Sequence, residues 1–362
     1  MLRANVVADL RLSSELADTQ WDAFLRSSTR GHIQQSSGWA RAKASGGWEP
    51  VRRGILAKDG ALRGGFQLLI RSTALGRIGY VYKGPVLVDE NEEDVATVAT
   101  MLEKATEECR LRALVVQPPD ESRLDQALLN RRRFLPNQII KTISATLVID
   151  LSEGLDVVKR RMRRSTRAEV RQATERGMRV RLGDRRDIPA FFALMKATCE
   201  RQNTKPAPGR SQDIEAMWDA FSPDGAVQLF IAESNEKAVA GLMCFSFGKR
   251  VVAWKRGWSG ECAERNPNQL TTFQAVRWAI EREFQFFDFD AVDRGIAQAI
   301  LAGGRLTEAQ RKSRHFINLA FGARPVLLPA SILYIPTLWG RTAYRAMAML
   351  RHSVGASQTR AR

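Results

Sequence analysis

The spacing of apolar residues changes along this chain, and the changes mark its elements. Over 95–111 apolar positions recur at helical spacing, with Val98, Met101, Leu102 and Ala105 on one side. The same period predicts helices over 155–176, 188–201, 213–221 and 268–283. In the last of these, Leu270, Phe273, Val276 and Ile280 form an apolar stripe. Shorter runs over 50–56, 61–70, 77–82, 114–117 and 146–150 read as strands, followed by 227–233, 238–247, 250–257 and 286–290. Asp59-Gly60 is a turn signal, Pro118-Pro119 ends a strand, and Asn266-Pro267-Asn268 supplies a turn and a cap before the 268–283 helix. Helices mixed with strands predict α/β (α+β) layers with mixed sheets.

The pattern also repeats. Ile55 to Phe66, with Asp59-Gly60 and Gly64-Gly65 inside it, parallels Ile231 to Leu242, with Asn235 and Gly241. Val81-Tyr82-Lys83 then parallels Ala253-Trp254-Lys255. Each half reads strand, polar turn, glycine-containing strand, tight turn, strand. An internal duplication of one α/β unit is expected.

Composition narrows the chemistry. The 362 residues are 44% hydrophobic and 26% charged, which is globular usage. Lys+Arg number 56 against 39 Asp+Glu, a net charge of +17. That excess favours an anionic partner, whether nucleic acid, a phosphorylated metabolite or an acidic membrane surface, or else is only a soluble basic surface. Four cysteines without a C-x-x-C pair and three histidines without H-E-x-x-H spacing predict no metal site and no disulfide framework. Reduced thiols fit a cytoplasmic protein. G-x-S-x-G, G-x-x-x-x-G-K-[ST] and G-x-G-x-x-G are all missing, so lipase-like, P-loop and Rossmann chemistry lose their usual support. No signal peptide is read at the N-terminus. The longest uncharged apolar stretch, 325–340, is short for a membrane span and is interrupted by prolines.

Two clusters could carry chemistry. Lys159, Arg160, Arg161, Arg163, Arg164, Arg167 and Arg171 form a basic run containing one acid, Glu169. On one continuous helix, Arg160, Arg163, Arg164, Arg167 and Arg171 would share a side and suit a polyanion such as transfer RNA or a lipid-linked pyrophosphate, or simply face solvent. Asp288 and Asp290 alternate on an apolar strand. They could accept a proton from an attacking amine or pair with Arg294.

Six segments, in order, resemble the Fem family of peptidoglycan-bridge aminoacyl transferases. The first is Gln35-Ser36, Trp39 and Lys43, followed by Gly47-Trp48, similar to the family's Q-S-x-x-W-x-x-x-K and G-W. The second is Tyr80-Val81-Tyr82-Lys83-Gly84-Pro85-Val86. The third is Thr146 to Leu151, followed by Arg167, Val170, Ala173, Gly177 and Val180. Then come Leu229 to Glu233 with Ala240-Gly241, and Asn266 to Leu270 with Ala275 to Ala279 and Phe287 to Phe289. Asn318-Leu319-Ala320-Phe321-Gly322 closes the series.

The resemblance implies two tandem GNAT-like acyltransferase domains, 1–150 completed by a returning C-terminal segment 328–362, and 151–327. It implies transfer of an aminoacyl or acyl group to an amine of a peptidoglycan precursor or similar anionic acceptor, with no bound cofactor. The acyl donor would be aminoacyl-tRNA or acyl-CoA, and the inner membrane surface a peripheral partner. By the same resemblance Lys43, beside Trp39, and Arg201 would meet the acceptor, with Tyr82 and Lys83 nearby. Read alone, Lys43 is an exposed helical lysine over a core tryptophan, and Arg201 a cation favoured at a helix C-terminus.

Asn318 stands where the family has a lysine linked to the developing oxyanion. An amide brings one donor and no charge, so Lys312, Arg314 or His315 would have to supply a cation. A lysine at 318 is then expected to speed transfer. Absence of a Ser-His-Asp signature is compatible with this reaction, which asks mainly for positioning and oxyanion stabilisation. The stretch 258–268 lacks a pyrophosphate-cradling glycine loop and carries Glu261 and Glu264, which disfavours a CoA donor. The rival expectations are an acyl-CoA-dependent N-acyltransferase of small amines and a catalytically silent RNA- or membrane-surface-binding module.

Overall fold

The computed structural model describes residues 10–74, 76–311 and 315–359. In chain order its elements begin with β1 (Leu10–Ser13), α1 (Thr19–Ser27), α2 (Ser37–Ala44), β2 (Trp48–Leu56), β3 (Leu62–Thr73), β4 (Gly76–Tyr82), β5 (Val86–Leu87) and α3 (Glu92–Glu108). They continue with β6 (Ala113–Gln117), α4 (Leu124–Leu129), β7 (Phe134–Pro136), β8 (Ala145–Asp150), α5 (Gly154–Arg161), α6 (Arg164–Glu175), β9 (Arg179–Gly183), α7 (Ile188–Arg201) and α8 (Ser211–Phe221). The remainder is β10 (Val227–Ser234), β11 (Lys237–Phe247), β12 (Arg250–Trp258), α9 (Pro267–Glu281), β13 (Phe286–Asp288), α10 (Arg294–Leu301), α11 (Glu308–Arg311), α12 (His315–Ala320), β14 (Arg324–Leu327), β15 (Ile332–Tyr334) and α13 (Leu338–Thr359).

The chain divides into two compact units, Met1–Thr142 with Pro329–Arg362, and Ile143–Leu328. The boundary therefore falls before β8, not at 150/151. The reason is pairing. β8 runs antiparallel to both β13 and β14, inside the second sheet. The strand read over 146–150 thus opens the second unit instead of closing the first.

In the first unit the sheet order is β1-β2-β3-β4-β6-β15-β7, with β5 on β3. β2, β3 and β4 are antiparallel neighbours, and β4 then pairs in parallel with β6. A parallel neighbour needs a crossover, and α3 provides it. Its buried stripe, Val98, Met101, Leu102 and Ala105, joins Ile55, Phe66, Leu68 and Val116 in one core. β15 lies between β6 and β7, antiparallel to both, so the C-terminal segment completes this sheet.

The second unit repeats the scheme in the order β14-β8-β13-β12-β11-β10-β9. β10, β11 and β12 are antiparallel neighbours, β12 pairs in parallel with β13, and α9 is the crossover. The duplicated unit read from the sequence is thus the strand–strand–strand–helix–strand core of both sheets. Leu270, Ala275, Val276 and Ala279 of α9 pack with Phe230, Leu242 and Cys244 of the sheet. α7 covers the other face, where Gly257 permits close approach: a Cβ there would lie 2.6 Å from the Met195 backbone nitrogen.

Two further readings change. The helix expected over 155–176 is two helices, because Met162 and Arg163 are extended, with ψ of 146° and 145°. Arg163 N–H donates to Ala320 O instead of continuing the helical ladder. The strand expected over 286–290 ends at Asp288, and Asp290 takes φ of 67°.

Candidate active site

In the first unit the candidate residues cluster around α2. Ser36 caps the helix by accepting from Trp39 N–H at 3.2 Å. Trp39 is buried, and Lys43, one turn later, sets its Nζ 5.1 Å from the indole centroid. Gln35, just before the cap, donates from Nε2 to Tyr82 O at 2.7 Å. That bond joins the start of α2 to the end of β4. The Tyr82 ring lies 5.4 Å from Tyr80, and burial pushes its hydroxyl pKa well up, so it stays protonated. Lys83 is buried, and its ammonium is bound by Asp120.

In the second unit, Arg201 folds back on the chain after β12. It donates to Ser259 O at 2.7 Å and Trp258 O at 2.5 Å, and lies 4.7 Å from the Trp258 ring centroid. It thereby fastens the C-terminal end of α7 to that segment.

Asp288 is buried and fully engaged. It accepts from Thr146 Oγ1, from Asp290 N–H at 2.9 Å and from Arg250 at 2.6 Å. Its ion-pair partner is Arg250. Arg294 donates to the Ser144 and Leu328 carbonyls. Asp290, being beyond the strand, does not alternate with Asp288 on one face.

The basic run is also rearranged by the break between α5 and α6. Arg167 turns back onto the Lys159, Arg160 and Met162 carbonyls at the end of α5. Arg163 stacks 4.0 Å from the Phe316 ring centroid, and Arg171 faces Glu175 at 3.5 Å. Arg160 and Arg164 remain exposed, without an ion pair among the described residues. The five arginines therefore do not form one helical stripe. Lys159, Arg167 and Arg171 instead rim a cavity of about 390 Å³ whose other walls include Met162, Val170 and Phe273.

Asn318 has a neighbour that the sequence reading missed. Arg256, on β12, donates to Asn318 Oδ1 at 3.5 Å and to Thr272 Oγ1 on α9 at 2.9 Å. Desolvation lowers its guanidinium pKa to about 10. The signal in the sequence was the Lys255-Arg256 pair near the end of a strand that is apolar over Val251–Trp254. Lys312 and Arg314, read as sources of charge, lie outside the described residues, as does the His315 side chain. With Arg256 in place, a lysine at 318 would set a second cation beside the first. Among the described residues no group of three or more His, Cys, Asp or Glu could hold a metal, and no helix is long and apolar enough to cross a membrane.

Two layered repeats of antiparallel strands, a crossover helix and a parallel strand define a tandem GNAT fold. Residues 160–296 match the acetyltransferase (GNAT) domain family, and residues 16–146 match the FemAB family. The resemblance to the Fem family read from the sequence is borne out by the FemAB match and by the relatives. It is 26% identical over 238 residues to the lipid II:glycine glycyltransferase of Staphylococcus aureus strain MRSA252, spanning 61% of this chain and 55% of that protein. The corresponding Staphylococcus epidermidis protein (strain ATCC 35984) is 27% identical over 240 residues, spanning 62% of this chain and 56% of that protein. The chain thus matches just over half the length of these relatives. The crystal structure of FemX superposes with a TM-score of 0.75 at 18% identity, over 93% of this chain and 100% of that one, which supports the fold.

Proposed function

We propose that this chain is a Fem-type acyltransferase. It transfers an aminoacyl group to an amine of a peptidoglycan precursor or a chemically similar anionic acceptor. The observation that carries the reading is the placement of a FemAB match on the first unit and a GNAT match on the second unit of one duplicated fold. The relatives' printed activity, glycyl transfer to lipid II, supplies the reaction class.

Chemistry in the second unit agrees with this. Attack of an amine on an activated ester needs the carbonyl oxygen stabilised and little else from side chains. Aminoacyl-tRNA suits the site better than acyl-CoA. The segment leading into α9, where a pyrophosphate would sit at a helix N-terminus, carries Glu261 and Glu264 and would repel phosphate. Arg160 and Arg164 offer exposed charge for a transfer RNA or for the inner membrane surface. In the first unit, Lys43 is the candidate for the acceptor's phosphate.

Parallel titrations with charged transfer RNA, acyl-CoA and a UDP-linked muramyl peptide test the assignment. The transfer RNA and the muramyl peptide should bind and acyl-CoA should not. Lys43→Ala should weaken the muramyl peptide about ten- to a hundredfold, the value of a charge-assisted hydrogen bond of about 1.5–3 kcal/mol. Binding of acyl-CoA alone would move the protein to the N-acyltransferase reading.

A further inference from the structure

Arg256, half-buried on β12, differs from the other inward-facing arginines. Arg52 faces Asp18, Arg53 faces Glu108, and Arg250 faces Asp288. Arg256 has no carboxylate partner among the described residues. Its contacts are the neutral oxygens of Thr272 and Asn318. A half-buried cation held only by neutral acceptors is poorly compensated, unless a ligand brings the opposing charge.

The holder is rigid. Thr272 Oγ1 spends its one proton on Asn268 O at 2.8 Å, which leaves its lone pairs for the guanidinium. One turn earlier on the same helix, Asn268 Oδ1 is buried with no hydrogen-bond partner. This part of the second unit therefore presents an uncompensated positive charge on β12, with an unused buried acceptor at the start of α9. A ligand group with an oxygen that gains negative charge would compensate the guanidinium. The adduct of an amine with an ester is such a group.

We propose that Arg256 faces the carbonyl oxygen of the acyl donor and stabilises the charge that oxygen gains, with Thr272 and Asn318 as positioning residues. The inference rests on the acyl-transfer reading above. In the step, the amine lone pair adds to the ester carbon and the C–N bond forms, while the carbonyl pair moves onto the oxygen facing Arg256. That pair returns as the C–O bond to the donor breaks, and the amine's proton leaves with the donor's hydroxyl.

Two readouts test this on the full chain. The first is single-turnover transfer from aminoacyl-tRNA by wild type, Arg256→Gln, Arg256→Lys and Thr272→Val, with circular dichroism checking the fold. Arg256→Gln should lower the rate about a hundred- to a thousandfold with KM little changed. Arg256→Lys should recover part of the loss, and Thr272→Val should lose less than Arg256→Gln. If Arg256→Gln does not fold, Arg256→Lys and Thr272→Val carry the comparison.

The second readout needs no turnover: binding of an aminoacyl phosphonate, a tetrahedral anion, against its neutral planar amide counterpart. Wild type should prefer the phosphonate, and Arg256→Gln, or Thr272→Val in its place, should lose that preference. Wild-type transfer with unchanged rates and phosphonate binding in the variants would overturn the role of Arg256 and leave the transferase reading standing. Phosphonate binding through Arg256 without transfer to any acceptor would do the reverse. Wild type showing neither transfer nor phosphonate preference would overturn both.

Discussion

Gln35 clasps the backbone of Gln67 from both sides. Its Oε1 accepts from Gln67 N–H at 2.7 Å, and its Nε2 donates to Gln67 O at 3.1 Å. The same Nε2 reaches Tyr82 O, and Gln35's own carbonyl accepts from the Trp21 indole at 2.7 Å. One residue thus ties together α1, the start of α2, β3 and the end of β4. The glutamine of the Q-S-x-x-W-x-x-x-K segment is a strut that sets where Trp39 and Lys43 stand.

Gln35→Ala should therefore lower stability by at least about 1–3 kcal/mol, since it strands the buried Gln67 amide hydrogen and carbonyl. Urea unfolding checks it. Gln35→Glu keeps the acceptor for Gln67 N–H but turns a buried carboxylate toward the Gln67 and Tyr82 carbonyls, and should cost at least as much as alanine if the clasp works as described.

Asp288 should prove structural. Asp288→Asn removes the carboxylate that Arg250 pairs with, and breaking a buried pair costs about 3–5 kcal/mol. The loss should sit at the low end or below, because the Arg250 side chain keeps 20% exposure. A thermal melt should show a lower midpoint, while transfer per folded molecule stays near wild type. A wild-type melt with a large loss of rate would return Asp288 to the chemistry.

Acid stability should depend on Asp18. Burial pushes its carboxyl up, but the Arg11 side chain and the Trp21 N–H outweigh that and hold it below the ordinary 3.8. A depressed folded pKa contributes stability that is complete above 3.8 and is lost as pH falls through the folded value. Asp18→Asn keeps a helix cap but cannot titrate. Chemical denaturation between pH 6 and pH 2 should show wild type losing more stability than the variant below about pH 4.

The duplicated core was legible because strand and helix periods alternate cleanly, and burial follows those periods. Features set by tertiary hydrogen bonds were not. The break between α5 and α6 comes from Arg163 N–H reaching Ala320 O, far along the chain, while local helical spacing runs straight through. The place of β8 depends on its partners β13 and β14, not on its own residues. Asp288 and Asp290 looked alike in sequence, yet only one lies on β13. At the candidate site the motif led to Asn318, but the charge beside it comes from a strand 62 residues earlier in the chain. No local pattern announces such a pairing.

The most direct measurement is mass-detected transfer of an amino acid from charged transfer RNA to a UDP-linked muramyl peptide, with acyl-CoA as the competing donor. The account predicts that the muramyl peptide gains the mass of one aminoacyl residue on an amine, with the transfer RNA donor and not with acyl-CoA. An unchanged muramyl peptide, while the protein still binds transfer RNA or anionic lipid in a salt-dependent way, would contradict it and leave a basic binding module in its place.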